Sequence, residues 1–212
     1  MNGKLLIAMP KGRLYDPAAA LLGRAGVVIA NKGTQSRVLV LEDSEHRYQF
    51  VTLKPIDIPV YVESGVIDAG IVGTDILREL ESDVNEPLDL QIGKCRLSVA
   101  APDGRAVSYQ QNISVATKYP HTASKFFATR NAHVHIVRLE GSVEIAPLLG
   151  LADVIVDLVE TGRTLRENGM SILEDIAQVS AKLIVNRTSM KMKSGAINEL
   201  ISNLDRVVYA SS

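Results

Sequence analysis

Residues 153–170 read DVIVDLVETGRTLRENGM, and they concentrate groups that could do chemistry. Asp157 and Glu160 follow a short apolar run, Val154-Ile155-Val156, and Thr161-Gly162-Arg163-Thr164 comes directly after them. A turn of this composition can aim backbone N–H groups and hydroxyls at a phosphate, and a helix opening behind it would add partial positive charge. Carboxylates at the strand end are placed to accept hydrogen bonds from sugar hydroxyls or to face a magnesium-bound pyrophosphate. A phosphate beside a diol describes a phosphorylated ribose. Read without function, the same stretch is a strand, a tight turn and a helix start.

A second set of groups is cationic. Lys11 and Arg13 lie in the turn Pro10-Lys11-Gly12-Arg13, after the apolar run of residues 4–9 (KLLIAM). Arg37 stands at the head of residues 37–41 (RVLVL), and Lys54 stands just past residues 47–53 (RYQFVTL). Cations at strand ends suit an anionic ligand, because open α/β sheets bind ligands at the carboxyl ends of their strands. They are equally what solvated strand ends display. Two further small or hydroxyl turns follow apolar runs: Gly73-Thr74-Asp75 and Glu140-Gly141-Ser142. Thr74, Asp75 and Ser142 also suit helix N-caps. His133 and His135 would share a strand face, but no third metal ligand is suggested beside them.

The elements that must position these groups alternate between short apolar runs and helical patterns. Strands are expected near residues 4–9, 37–41, 47–53, 67–72, 113–116, 133–139 and 154–156. The strands at 37–41 and 47–53 read as an antiparallel hairpin, with Arg37 and Lys54 near the same end. Helices are expected near residues 14–24, 55–64, 76–80, 120–129, 143–149 and 193–204, with a helix start at 165–168 stopped by Gly169. Residues 88–101 form one long extended segment through Gly93, and residues 171–185 form another. Two long crossovers predict two α/β lobes: residues 1–92 plus 174–212, and residues 93–173. The alternative is a single continuous doubly wound domain.

The chain has 212 residues, of which 46% are hydrophobic, enough for a proper core. Its net charge of −1 argues against a broad nucleic-acid footprint, and 4% aromatics without tryptophan argue against base-stacking platforms. A single cysteine, Cys95, fits a reducing compartment. No apolar run suits a membrane span, and the N-terminus lacks a signal-peptide pattern. A cytoplasmic protein without nucleic-acid or membrane partners is expected.

Several longer runs carry a resemblance. Residues 116–127 (ATKYPHTASKFF) and 139–170 (LEGSVEIAPLLGLADVIVDLVETGRTLRENGM) resemble the ATP phosphoribosyltransferase family, which opens histidine biosynthesis. PKGRL at 10–14, Arg37 before its strand, DIPVYVESGVIDAGIVG at 57–73 and GKCRLSVA at 93–100 agree. The resemblance implies a two-lobed α/β fold of the type II periplasmic-binding-protein kind, each lobe a mixed sheet flanked by helices, with the active site in the cleft. It implies transfer of the 5-phosphoribosyl group of phosphoribosyl pyrophosphate to N1 of ATP, releasing pyrophosphate. Magnesium would arrive on the substrate phosphates. The chain's length resembles the family's short form. That form is a homodimer alone and a hetero-octamer with a regulatory subunit related to histidyl-tRNA synthetase.

On this resemblance residues 161–164 take the 5′-phosphate, and Asp157 and Glu160 read ribose hydroxyls. Lys11, Arg13, Arg37 and Lys54 meet pyrophosphate and the ATP phosphates, Arg13 and Arg37 being the candidates for stabilising departing charge. Glu140, Gly141, Ser142 and Asp153 line the adenine or ribose side. Lys54 stands where the family usually has arginine and so lacks the bidentate fork. Thr74 stands where the family often has lysine. Two other classes are weighed: a solute-binding protein without chemistry, which the fold permits, and a phosphoribosyltransferase acting on a free base, which carries a similar acid-then-TG-T loop on another fold.

Overall fold

The structure is a computed structural model that describes residues 4–29, 39–105, 107–109 and 112–210. The chain divides into two compact units, Met1–Gly93 with Ser180–Ser212, and Lys94–Val179. Among the described residues each unit is built on one mixed sheet.

In the first unit the strands are β1 (Leu5–Pro10), β2 (Val40–Glu42), β3 (Tyr48–Leu53), β4 (Ala69–Gly73), β5 (Asn85–Asp89) and β11 (Ala181–Val185), in the order β2-β3-β1-β4-β11-β5. β3, β1 and β4 run parallel, while β2, β11 and β5 pair antiparallel. β1 and β4 are almost wholly apolar because both faces of the sheet are covered. On one face α1 (Tyr15–Arg24) and α8 (Ser194–Tyr209) bury Ala18, Leu21, Leu22, Ile197, Leu200 and Leu204 with Leu5, Ile7 and Phe50. Ile197, Leu200 and Leu204 fall at i, i+3 and i+7, one stripe of a helix. On the other face α2 (Ile58–Glu63) and α3 (Thr74–Leu80) join Ile58, Val62 and Leu77 to Ala8, Val72 and Ile184.

A buried carboxylate locks this unit. Asp68, just before β4, accepts from the Leu6 backbone N–H at 2.9 Å, from Ser189 Oγ at 2.7 Å and from Lys193 Nζ at 2.7 Å. Its own N–H donates to Leu6 C=O, and its C=O accepts from Asn186 N–H. Asn186 in turn caps α7 (Arg187–Met192) by accepting from Thr188 and Ser189 N–H, and it donates to the Val62 and Glu63 carbonyls at the end of α2. No helix is expected from sequence between the extended segment at 171–185 and the helix at 193–204, yet α7 fills that gap. An asparagine with a free side-chain carbonyl is a strong cap, and that was the missed signal.

The second unit orders its strands β10-β6-β9-β7-β8. They are β6 (Cys95–Pro102), β7 (Ile113–Thr117), β8 (Val134–Arg138), β9 (Val154–Val159) and β10 (Met170–Val179). β9, β7 and β8 are parallel, and β6 and β10 are antiparallel to their neighbours. The helices are α4 (Pro120–Ala128), the single turn α5 (Ile145–Leu148) and α6 (Arg163–Glu167). Val143, Ala146, Ile155, Val159, Leu165 and Met170 form a core under α5 and α6.

The chain passes between units twice. The outgoing passage turns at Gly93, whose φ of +63° suits glycine and where a Cβ would require Leu14, with its Cδ2 2.2 Å away, to shift. The return falls at Ser180, later than the expected 174, because β10 pairs along its length with β6 before the chain leaves the unit. Leu90 N–H to Ala181 C=O and Ala181 N–H to Ile92 C=O, both 2.9 Å, tie the two passages together within the first unit. Ser180 Oγ adds a bond to Asp89.

Replacing Asp68 with alanine should strand Lys193, Ser189 and the Leu6 N–H, destabilising the protein by about 3 kcal/mol or more in urea unfolding. Asp68→Asn, which keeps the shape, should cost less. Equal, small losses for both would show that the carboxylate is incidental.

Candidate functional site

Two sheet edges collect the predicted groups, one in each unit. In the first unit Pro10 pairs with Leu53 at the carboxyl ends of parallel β1 and β3, and the Lys11 N–H donates to Leu53 C=O at 2.8 Å. Lys11 and Lys54 therefore leave adjacent strand ends. Gly12, at φ +86°, turns the chain so that Tyr15 N–H reaches Gly12 C=O and α1 begins. This places Arg13 one residue further on the same edge, and all three cations are exposed. Arg37, expected to share this end with Lys54, lies outside the described residues. Among the described residues a hairpin is present as β2 (Val40–Glu42) against β3.

Thr74 and Asp75 occupy the carboxyl end of β4 on the same edge, but Gly73 is the cap residue of α3. The Thr74 N–H donates to Ser180 C=O, and its hydroxyl accepts from Ser180 N–H at 3.3 Å. Thr74 clasps the returning chain.

In the second unit β7, β8 and β9 run parallel, so residues after Thr117, Arg138 and Val159 share one edge. Glu140, Gly141, Ser142, Glu160, Thr161, Gly162, Arg163 and Thr164 are brought together there. Four corrections follow. β9 runs through to Val159, so Asp157 sits inside the strand, directly opposite Ser98 of β6. α6 opens at Arg163, immediately after Gly162 at φ +72°, and is only one short turn, so little macrodipole stands behind the loop. Ser142, at φ +50°, belongs to a turn and does not cap α5, whose cap residue is Glu144.

The fourth concerns Asp153, which lies at the opposite, amino end of β9 and cannot line the same site. It accepts from Ser114 N–H and Ser114 Oγ, each at 2.7 Å, and pairs with Arg105. The Ser114 N–H and then its hydroxyl hold this carboxyl below its ordinary range against the opposing effect of burial, with a lesser contribution from the Arg105 charge. Asp153 is a structural clasp between β7 and β9.

At the loop itself Thr161 Oγ1 accepts from Arg163 N–H at 3.4 Å. The Arg163 side chain runs along α6 to Glu167 at 2.6 Å and is 79% exposed. Arg166, not singled out from sequence, folds back so that its guanidinium donates to Thr161 C=O at 3.1 Å, over Gly162. Its position three residues after Arg163 on a one-turn helix was the available signal. Glu140 pairs with Arg138 on the exposed end of β8.

Lys118 was also missed. It follows β7 as Lys11 follows β1, and its Nζ stands 3.2 Å from Asp157 Oδ1. Among the described residues no donor meets that oxygen with hydrogen-bond geometry, although it is closed off from solvent. Ser98, opposite, gives its proton to Asp175 at 2.6 Å. No group of three or more His, Cys, Asp or Glu among the described residues could hold a metal ion. His133 and His135 are both exposed.

A family model described as ATP phosphoribosyltransferase matches residues 54–206. The chain belongs to the ATP phosphoribosyltransferase family. It is 47% identical over 202 residues to the ATP phosphoribosyltransferase of Caldanaerobacter subterraneus subsp. tengcongensis, covering 95% of this chain and 96% of that protein. It is 49% identical over 204 residues to that of a Geobacillus species, covering 96% and 98%. The family consists of transferases of histidine biosynthesis. Among solved structures, a chain of an ATP phosphoribosyl transferase (HisG:HisZ) complex from Thermotoga maritima superposes with a TM-score of 0.85 at 33% identity, covering 96% of this chain and 98% of that one. The periplasmic aliphatic sulphonate binding protein SsuA from Escherichia coli superposes at 0.62 with 12% identity, covering 98% and 69%. That likeness shows the expected periplasmic-binding-protein type of fold. No helix among the described residues is long and apolar enough to cross a membrane.

Because the folded carboxyl of Asp153 titrates below the ordinary 3.8, its contribution is full above that value and is lost as pH falls through the lower one. Asp153→Asn should destabilise the protein by about 1–2 kcal/mol at neutral pH. In urea unfolding at several pH values the gap to the parent should narrow on acidification below 3.8. A pH-independent gap would rule out the charge as its source.

Proposed function

We propose that the chain transfers the 5-phosphoribosyl group from phosphoribosyl pyrophosphate to N1 of ATP, giving N1-(5-phosphoribosyl)-ATP and pyrophosphate. The observation that carries this reading is the edge of the second unit, where a Gly/Thr loop and Glu160 follow the end of β9, with Asp157 two residues inside that strand and Lys118 against it. Family membership supplies the acceptor, ATP.

Residues 161–164 take the 5′-phosphate with loop N–H groups and the Thr161 and Thr164 hydroxyls, braced by Arg166. Asp157 and Glu160 face the ribose hydroxyls, with residues 140–142 on the flanking strand end. Lys11, Arg13 and Lys54 form an anion-binding edge for ATP phosphates and pyrophosphate, to which Arg37 is assigned as well. Adenine N1 is a free lone pair, so attack needs no strong base. The barrier lies in pyrophosphate departure and the cation-like ribose carbon, which positioning and fixed charge lower. Arg13 and Arg37 are assigned to the departing charge.

Magnesium, carried on the phosphates, would neutralise part of their charge. It characteristically takes one or two carboxylates together with phosphate oxygens, and Glu160, exposed just past the end of β9, fits that place while Asp157 is engaged by Lys118. The Thermotoga maritima chain comes from a HisG:HisZ complex, and this chain is proposed to work in the cytoplasm with a regulatory subunit, as a homodimer alone and a hetero-octamer in complex.

The test is a spectroscopic assay for the adduct with ATP, phosphoribosyl pyrophosphate and magnesium, with pyrophosphatase present and with the regulatory subunit both absent and added. Adduct is expected with ATP and none with free adenine. Reaction with adenine in place of ATP would reassign the acceptor. Thr164→Val should raise the KM for phosphoribosyl pyrophosphate by about 10- to 100-fold, the worth of one hydrogen bond to a charged group, with a smaller change for ATP. An unchanged KM would remove residues 161–164 from the 5′-phosphate site.

A further inference from the structure

On the reading above, the donor carries two anionic groups on one ribose. Residues 161–164 account for the 5′-phosphate in the second unit, and the acids account for hydroxyls. The pyrophosphate on C1 needs a cation near those acids, and Lys118 stands there.

Its placement is built. Thr117 is wholly buried, and its hydroxyl donates to Val156 C=O at 2.7 Å while accepting from Tyr119 N–H at 2.9 Å. Val156 precedes Asp157, and Tyr119 follows Lys118. One hydroxyl thus fixes the backbone of both charged residues. Thr117 C=O also accepts from Leu139 N–H at 3.0 Å, tying in the strand end that leads to residues 140–142. The ammonium lies 5.2 Å from the Tyr119 ring centroid.

The pair it makes is loose. Lys118 meets Asp157 Oδ1 at 3.2 Å without hydrogen-bond geometry, and the side chains are 37% and 25% exposed. A partly exposed pair of this kind adds little to stability, and a lysine stem has several rotatable bonds through which to re-aim its ammonium. A pyrophosphate, with several negative charges, attracts an ammonium more strongly than one carboxylate does.

We infer that Lys118 is a binding cation for the donor's pyrophosphate, held in the free protein by Asp157 and released as ribose hydroxyls take over that carboxylate. The two exchanges support each other: each hydroxyl donated to Asp157 weakens its hold on Lys118, and each phosphate oxygen offered to Lys118 frees Asp157.

The test compares Lys118→Met with the parent by calorimetric binding of two ligands, phosphoribosyl pyrophosphate and ribose 5-phosphate, which lacks the pyrophosphate. The Kd for phosphoribosyl pyrophosphate should rise by about 10- to 100-fold, the range for a charge-assisted contact. Ribose 5-phosphate should bind as before or more tightly, because Asp157 is already released. Lys118→Arg should restore most of the lost affinity. Equal loss for both ligands would make Lys118 a structural prop and overturn the inference, as would unchanged binding of phosphoribosyl pyrophosphate. If the parent forms adduct while Lys118→Met binds as it does, the inference alone falls. If the parent binds neither ligand and forms no adduct, the proposed reaction falls with it.

Discussion

The first unit depends on one buried carboxylate. Asp68 gathers a backbone N–H from β1, a hydroxyl from α7 and an ammonium from the junction of α7 and α8. A buried charge is tolerated only when donors surround it, so Asp68 can exist only where β1, β4 and the C-terminal helices have met. The same residue sets the register between β1 and β4 through its backbone. That register decides where β1 ends, and so where Lys11 and Arg13 emerge.

Both candidate edges follow from strand direction. In each unit three parallel strands end side by side, and the chain must turn there into a helix or loop. Turn residues are small, hydroxylated or charged for local reasons, which places them where a ligand can reach several elements. The units differ in what they offer. The first presents cations on adjacent ends, and the second presents hydroxyls, acids and a lysine held against one of them.

Much of this was legible in sequence, and the failures have physical causes. Apolar runs located nearly every strand, because buried parallel strands have no polar face to confuse the pattern. Asp157 was placed after its strand, since an acid looks like a strand terminator. Its partner on the sheet, Ser98, and its counter-ion, Lys118, come from distant stretches that no local pattern connects. Asp153 was grouped with the loop because the two are close in sequence. Six strand residues lie between them, and a strand carries its two ends to opposite edges of a sheet. Arg163 and Arg166 look interchangeable in sequence; only helix geometry sends one along α6 and the other back over the loop.

The first unit is discontinuous, and this fixes an order of assembly. β11 inserts between β4 and β5, yet it is synthesised after the whole of the second unit. On the ribosome, the second unit has all its strands before the first does. Until residues 181–185 emerge, β4 and β5 keep bare edges beside the apolar side chains of Ile71 and Leu88. Such edges are sticky, and a nascent chain exposes them for as long as the remaining codons take to read. Native structure in the first unit is therefore a signal that the whole of the second unit has been synthesised. A chain cut short between the second unit and β11 would carry all the strands of the second unit and an unfinished, aggregation-prone first unit.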